Sequence, residues 1–311
     1  MSIDLTASVI VPTAITEAML TSCTVTEPSA TEVAWVSGAT YAEGDVAIRS
    51  TTHRKYKRLI AGAGTTPPES DGANWRDIGA TDRWKQFDEI IGTATIAASG
   101  NLVTVLRPGS TEGLMLMDLL GTTGEAVMRD APGGAIVWSR SWSLDGSVIA
   151  SVYDWMYAPY EQRRTVLATD LPGQYPSCEI TITITPTASG AGCGVLAVGR
   201  SHKIGAAEYG AGAGIINWGK VTDDGFGNRQ WKEGNWSDRI TLPLLMNRSD
   251  FSRVHRLLTQ QRSKPCIYIG SEIPGLEPLI SYGVFKDLYI TIPNFPLCSL
   301  NLEVEGLSNT A

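Results

Sequence analysis

Apolar and polar positions alternate with a period of two through much of this chain, in short runs. Glu179–Thr185 is the cleanest case, with Ile180, Ile182 and Ile184 on one side and Thr181, Thr183 and Thr185 on the other. That is the pattern of a strand with one buried face. Leu300, Leu302 and Val304 alternate in the same way with Asn301, Glu303 and Glu305. Further strands are predicted over Leu102–Leu106, Leu114–Leu116, Glu125–Arg129, Ile136–Trp138, Cys266–Ile269, Tyr282–Phe285 and Leu288–Ile292. Turn signals at Pro108-Gly109, Gly121–Gly124, Pro132-Gly133-Gly134 and Asp145-Gly146 separate the earlier ones. Regular short strands divided by Gly and Pro predict a β-sandwich. Ile215–Val221 and Arg229–Lys232 flank Asp223-Asp224-Gly225-Phe226-Gly227-Asn228 and predict a hairpin.

Helical spacing is confined to two places. Phe251, Val254, Leu257 and Leu258 share a face while Arg253 and Arg256 take the other, with Ser249 as the expected cap and Pro265 as the stop. Thr13–Thr21, with Glu17 in a first turn and Ile15, Ala18 and Met19 behind it, predicts a shorter helix. Thr24–Thr31 is polar, contains Pro28, and reads as a linker. The expected class is therefore mainly β. An N-terminal arm and linker cover 1–30, a small β module 31–80, and a larger β-sandwich 81–311, with an optional division near 200 and one short helix in its C-terminal half.

Composition narrows the function. A net charge of −7 over 311 residues argues against a nucleic-acid groove, since phosphate binding needs a basic surface. No apolar run reaches the roughly eighteen residues of a membrane-spanning helix. Met1–Pro12 lacks a basic leader and a long apolar core, so a soluble protein made in a cytoplasm is expected. The five cysteines, Cys23, Cys178, Cys193, Cys266 and Cys298, form no Cys-x-x-Cys pair and read as small buried hydrophobes. Neither a metal nor a cofactor is expected.

Catalytic motifs are absent from the sequence. The three histidines, His53, His202 and His255, have no local acid in a triad-like spacing, and no P-loop or Gly-x-Ser-x-Gly occurs. Gly210-Ala-Gly212-Ala-Gly214 lacks the βαβ context of a nucleotide loop. Asp118, Asp130, Asp154, Asp223 and Glu233 are glycosidase candidates by residue type alone, because hydrolysis needs two facing carboxylates. No catalytic residue is expected. Nine tryptophans divide between two readings, sandwich filling and interface anchors.

The most concentrated pattern lies between residues 35 and 75: Trp35, Tyr41, Gly44-Asp45, Val46, Tyr56, Pro67-Pro68 and Trp75. A unit this small must draw its buried area from its aromatics. The same stretch holds the one dense basic run, His53-Arg54-Lys55-Tyr56-Lys57-Arg58. Two readings stand side by side. Trp35, Tyr41, Tyr56 and Trp75 are either a core or a stacking surface, and Arg54, Lys55, Lys57 and Arg58 either a solvated face or a contact for an anionic partner.

The Trp then Tyr-x-x-Gly-Asp-x-Val spacing resembles the small chitin-binding-type module, carbohydrate-binding module family 5/12. In its sugar-binding members the central Tyr is soon followed by adjacent Trp residues, where this chain has Lys57-Arg58-Leu59-Ile60. From Asp82 onward the chain resembles a family of phage and prophage tail-region proteins. The shared features are Trp84-x-x-Phe87-Asp88, Cys193-Gly194 to Val198-Gly199-Arg200, and Tyr209-Gly210 to Gly214-Ile215-Ile216. They continue with Asp224-x-Phe226-Gly227-Asn228, Tyr268-Ile269-Gly270, and Cys298-Ser299-Leu300 to Gly306-Leu307. This resemblance implies a virion tail or baseplate component, assembled in the host cytoplasm with other tail proteins, as a homo-oligomer or part of a ring. It carries no catalytic residues. The module's resemblance implies a host-surface glycan as partner, while charge and hydropathy leave no expectation of nucleic acid or membrane insertion.

Overall fold

In a computed structural model, residues 6–147, 149–159, 161–223, 227–273, 275–292 and 296–307 are described. The fold is mainly β. Nine strands form the largest sheet, in the order Val166–Ala168, Gly113–Met117, Val195–Ala207, Thr6–Pro12, Cys266–Ile269, Ile280–Thr291, Leu297–Gly306, Trp236–Asn247 and Gly212–Asn217. Its pairings are antiparallel. An extra pairing of Ala206 with Leu245 and Ala207 with Leu244 joins two non-adjacent members. Those bonds close the six strands from Val195–Ala207 through to Trp236–Asn247 into a ring. Closure removes open edges from that part of the sheet.

The alternation seen in the sequence decides what fills the ring. Leu300, Leu302 and Val304 point in, beside Val9, Ile204, Ile240, Leu242, Leu244 and Tyr268. The Phe251–Gln260 helix packs on this core through Val254 and Leu258. It starts at Asp250 rather than Ser249, and it ends at Gln261, before Pro265 is reached. Tyr282–Phe285 and Leu288–Ile292 prove to be one strand, Ile280–Thr291, with a register shift between Phe285 and Asp287.

A second sheet of five strands, Ile136–Ser143, Thr123–Arg129, Glu179–Thr185, Leu102–Leu106 and Leu20–Cys23, packs as a sandwich on one wing of the first. Ile180, Ile182, Ile184, Leu102, Leu106 and Met128 meet Leu114, Leu116, Val166, Leu196 and Val198 across that layer. Burial of each such aliphatic side chain is worth about 1.5–3 kcal/mol. The strand Val195–Ala207 serves both cores: Leu196 and Val198 lie in the sandwich, Ile204 and Ala207 in the ring. Thr13–Thr21 does not form the predicted helix. It makes one turn closed on Thr16 O, because Leu20 is drawn into pairing with Leu106.

The small module is a three-stranded sheet of Val46–Arg49, Arg54–Arg58 and Trp75–Ala80, with a short Thr40–Tyr41 and Gly62–Ala63 pair. A six-residue helix, Val152–Tyr157, which periodicity did not foreshadow, completes the picture.

Candidate functional site

Within the module, Tyr56 lies opposite Ala47 on one side and Asp77 on the other, which puts its ring between the strands' inner faces. Tyr56 and Trp75 are 6% and 3% exposed and form the centre of the module's core, with Trp35 and Tyr41 half-buried against them. The Tyr41 ring meets Trp75 edge-on at 5.0 Å, and the Tyr41 hydroxyl accepts a 2.8 Å hydrogen bond from the Val36 amide. The expectation of stacking faces at Tyr56 and Trp75 is thus corrected: neither ring offers a free face to a sugar. The Tyr-x-x-Gly-Asp spacing has a backbone cause. Gly44 takes a positive φ of 91°, and Asp45 accepts the Ala42 amide at 2.7 Å, closing the turn into Val46–Arg49.

The basic run is likewise engaged from within. Arg58 is buried, its guanidinium 5.0 Å over Trp75 and its Nε donating to Ile60 O at 2.6 Å. Arg54 pairs with Asp77 at 2.8 Å. Lys55 pairs with Asp82 at 2.7 Å and Glu32 at 3.0 Å. Lys57 alone of the four candidate cations is exposed without an ion pair among the described residues. A strand whose cations are spent on internal carboxylates is not an anion-binding stripe, which corrects the second expectation for this run.

Thr24–Thr31, read from sequence as a linker, is a clamp. Glu27 accepts from Thr81 Oγ1 at 2.8 Å and Trp84 Nε1 at 3.1 Å, and pairs with His53 Nδ1 at 2.9 Å. Glu32 accepts the amides of Ser29 and Asp82, both at 2.8 Å. Asp82 in turn accepts from Ser29 at 2.7 Å and binds Lys85 at 2.9 Å. Burial pushes the Asp82 carboxyl up, but hydrogen bonds from Lys55, Ser29 and Lys85 outweigh it and hold the group well below the usual carboxylate range. One polar segment thereby ties the module to the body.

A groove lies on the body. About 630 Å³ in volume, it is floored by Met115, Met117, Ile280 and Tyr282 and rimmed by Arg163, Arg164, Asp238 and Glu277. Ser281 Oγ lines it and has no partner among the described residues. Its narrower neighbour adds Asp118 and Trp236, and Asp118 lies 3.6 Å from Arg164. Burial raises the Asp238 carboxyl above its ordinary value. An apolar floor with a few charged and hydroxyl groups is the make-up of a site for an amphipathic ligand.

Of the acidic candidates named from sequence, none lines the groove itself; Asp118 lines its neighbour, and Glu233 lines a separate concavity beside Trp236. Asp154, in the first turn of the six-residue helix, accepts from Ser151 Oγ at 2.8 Å and Ala150 N at 3.2 Å, and Asp223 pairs with Arg229 at 3.4 Å. Sequence reasoning missed Glu27, Glu32 and the groove, because each joins residues far apart in the chain. His255 is exposed, and Cys178, Cys193, Cys266 and Cys298 are buried free thiols. The Asp224–Phe226 part of the hairpin tip lies outside the described residues.

No family model, curated protein or solved structure matches the chain.

Proposed function

We propose that this chain is a non-enzymatic structural component of a tailed-phage tail tip or baseplate, assembled with other tail proteins in the host cytoplasm and carried in the virion. The carrying observation is apolar side chains displayed on elements with no support of their own. Val152, Tyr153, Trp155, Met156 and Tyr157 stand exposed on a six-residue helix that buries nothing, and Trp231 and Ile215 are exposed elsewhere. Large apolar displays of this kind mark surfaces that another molecule covers. The ordered resemblance from Trp84 to Leu307 suggests the phage-tail part of the reading. Mass spectrometry of purified particles is the test. The protein is expected at fixed stoichiometry, and its absence from virions defeats the proposal.

A second reading, binding of a host-envelope glycan, rests on the groove rather than the module. The half-buried Trp236, with Asp118, Asp238 and two arginines, offers a ring and planar charged groups to sugar hydroxyls. A glycan array probed with the wild type and Trp236→Ala decides it: equal signals remove the groove from any attachment role.

A further inference from the structure

We infer that the Val152–Tyr157 arm of one copy docks, head to tail, on the Lys220–Asp223/Arg229–Lys232 ribbon of a second copy of this chain. The inference rests on the assembly reading above and names its self-contact.

The arm leaves and rejoins the body at one point. Gly146 N donates to Glu161 O and Arg163 N to Leu144 O, each at 2.8 Å, and residues 149–159 between them are exposed save the half-buried Asp154. Ser151 caps its helix by accepting from Asp154 N at 3.1 Å. Six residues are too few for a helix to hold in water on propensity alone. Nevertheless its large side chains all face out, Trp155 at 72% exposure. Between Asp145 and Gln162 the sequence holds Asp145, Asp154 and Glu161 and no Lys or Arg. Within those bounds the arm is apolar and its charged groups are acidic, with Arg163 and Arg164 following at its neck.

The ribbon is its converse. Each of its paired residues is exposed, and a two-stranded hairpin without a packed face is marginal by itself. Val221 sits opposite Trp231, which is 77% exposed, and Trp218 adjoins. Lys220 sits directly opposite Lys232. Like charges facing across a strand pair repel, and among the described residues neither lysine has an ion pair. The ribbon therefore combines an uncovered aromatic face with two lysines lacking an anion. The arm supplies both missing parts, aromatic area from Tyr153, Trp155 and Tyr157 and the exposed carboxylates of Asp145 and Glu161 at its neck.

Arm and ribbon are different patches of one chain, so a contact between copies is heterologous. Such a contact closes into a ring or extends as a filament, and it leaves no copy's arm bare when the ring closes.

The test uses the full chain and two surface variants, Trp155→Ala/Met156→Ala for the arm and Trp231→Ala/Lys232→Glu for the ribbon. All four side chains are exposed, and far-UV circular dichroism spectra matching the wild type certify the fold. By analytical ultracentrifugation at about 100 µM, suited to the weak association of an interface below standard size, the wild type is expected as an oligomer and each variant as a monomer. Mixed one to one, the two variants regain a single intact contact and sediment as a heterodimer. Raising salt from about 0.1 M to 1 M weakens it several-fold. A monomeric wild type, a variant that still oligomerises, or a mixture that fails to pair each overturns the inference; the last assigns arm and ribbon to other partners. A wild type that is monomeric alone yet present in particles defeats this contact and leaves the tail assignment standing.

Discussion

His53 lies flat on Trp84, ring centroids 4.1 Å apart and planes 22° apart, and both rings turn a nitrogen toward the same oxygen of Glu27. His53 belongs to the module, Trp84 to the body, and Glu27 to the polar segment between arm and module. Three parts of the chain thus meet at one carboxylate, whose side chain is only 6% exposed. His53 takes a positive φ of 55° to reach it.

Glu27→Ala leaves the Trp84 indole N–H and the Thr81 hydroxyl without their acceptor in a place water barely enters. Stability to denaturant is expected to fall by about 1–3 kcal/mol, the cost of leaving buried donors unmade. Equilibrium unfolding followed by tryptophan fluorescence measures it, and an unchanged midpoint would show that the clamp contributes nothing.

The Asp82–Lys55 pair sets the pH range of that clamp. Asp82 is depressed in the folded state, so its contribution is full above the unfolded value of about 4 and is lost as pH falls from there. Burial lowers Lys55, but Asp82 and Glu32 outweigh it and raise the group. Its contribution is therefore full below the unfolded value of about 10.4 and is lost as pH rises through the folded one. Docking is expected to be strongest from about pH 4 to 10. The stability gap between wild type and Asp82→Asn should shrink as pH drops below about 4; a gap constant with pH counts against the assignment.

Trp75→Ala removes the largest side chain of the module's core and the surface under the Arg58 guanidinium. The expected cost is about 3–5 kcal/mol, concentrated in the module. Amide hydrogen exchange should rise across residues 46–80 while the ring strands stay protected. Uniform protection in the variant refutes a core role.

Gly199, in the Val198-Gly199-Arg200 run, has a packing reason to lack a side chain. A Cβ there would stand 2.0 Å from the Val11 carbonyl oxygen across the strand pair. Gly199→Ala must push those two backbones apart, at about 1–3 kcal/mol or more. A thermal melt equal to wild type would show that the contact yields freely.

Strand positions were legible in the sequence wherever one face is buried and the other wet. Leu102–Leu106 and Cys266–Ile269 fall where predicted, and Ile180, Ile182 and Ile184 point into the core. The Phe251–Gln260 helix was legible for the same reason, since Val254 and Leu258 recur on its buried face. Such patterns are local, and burial of one face enforces them. The candidate site was legible only as a set of residue types. Tyr56, Trp75, Lys55 and Arg58 were singled out, but whether a ring meets solvent or a neighbour depends on what packs over it.

The sequence by itself determined that this chain builds sheets, that a small aromatic unit sits near its N-terminus, and that charge is sparse. Tertiary structure alone decided the ring closure at Ala206–Leu245, the Glu27 clamp, and the isolation of the Trp155 arm. The reason is distance along the chain. Glu27 and Trp84 are separated by 57 positions, and no local pattern encodes a hydrogen bond that only the folded backbone brings within 3.1 Å. Exposure is equally non-local: Trp155 is bare because none of the described residues packs over it.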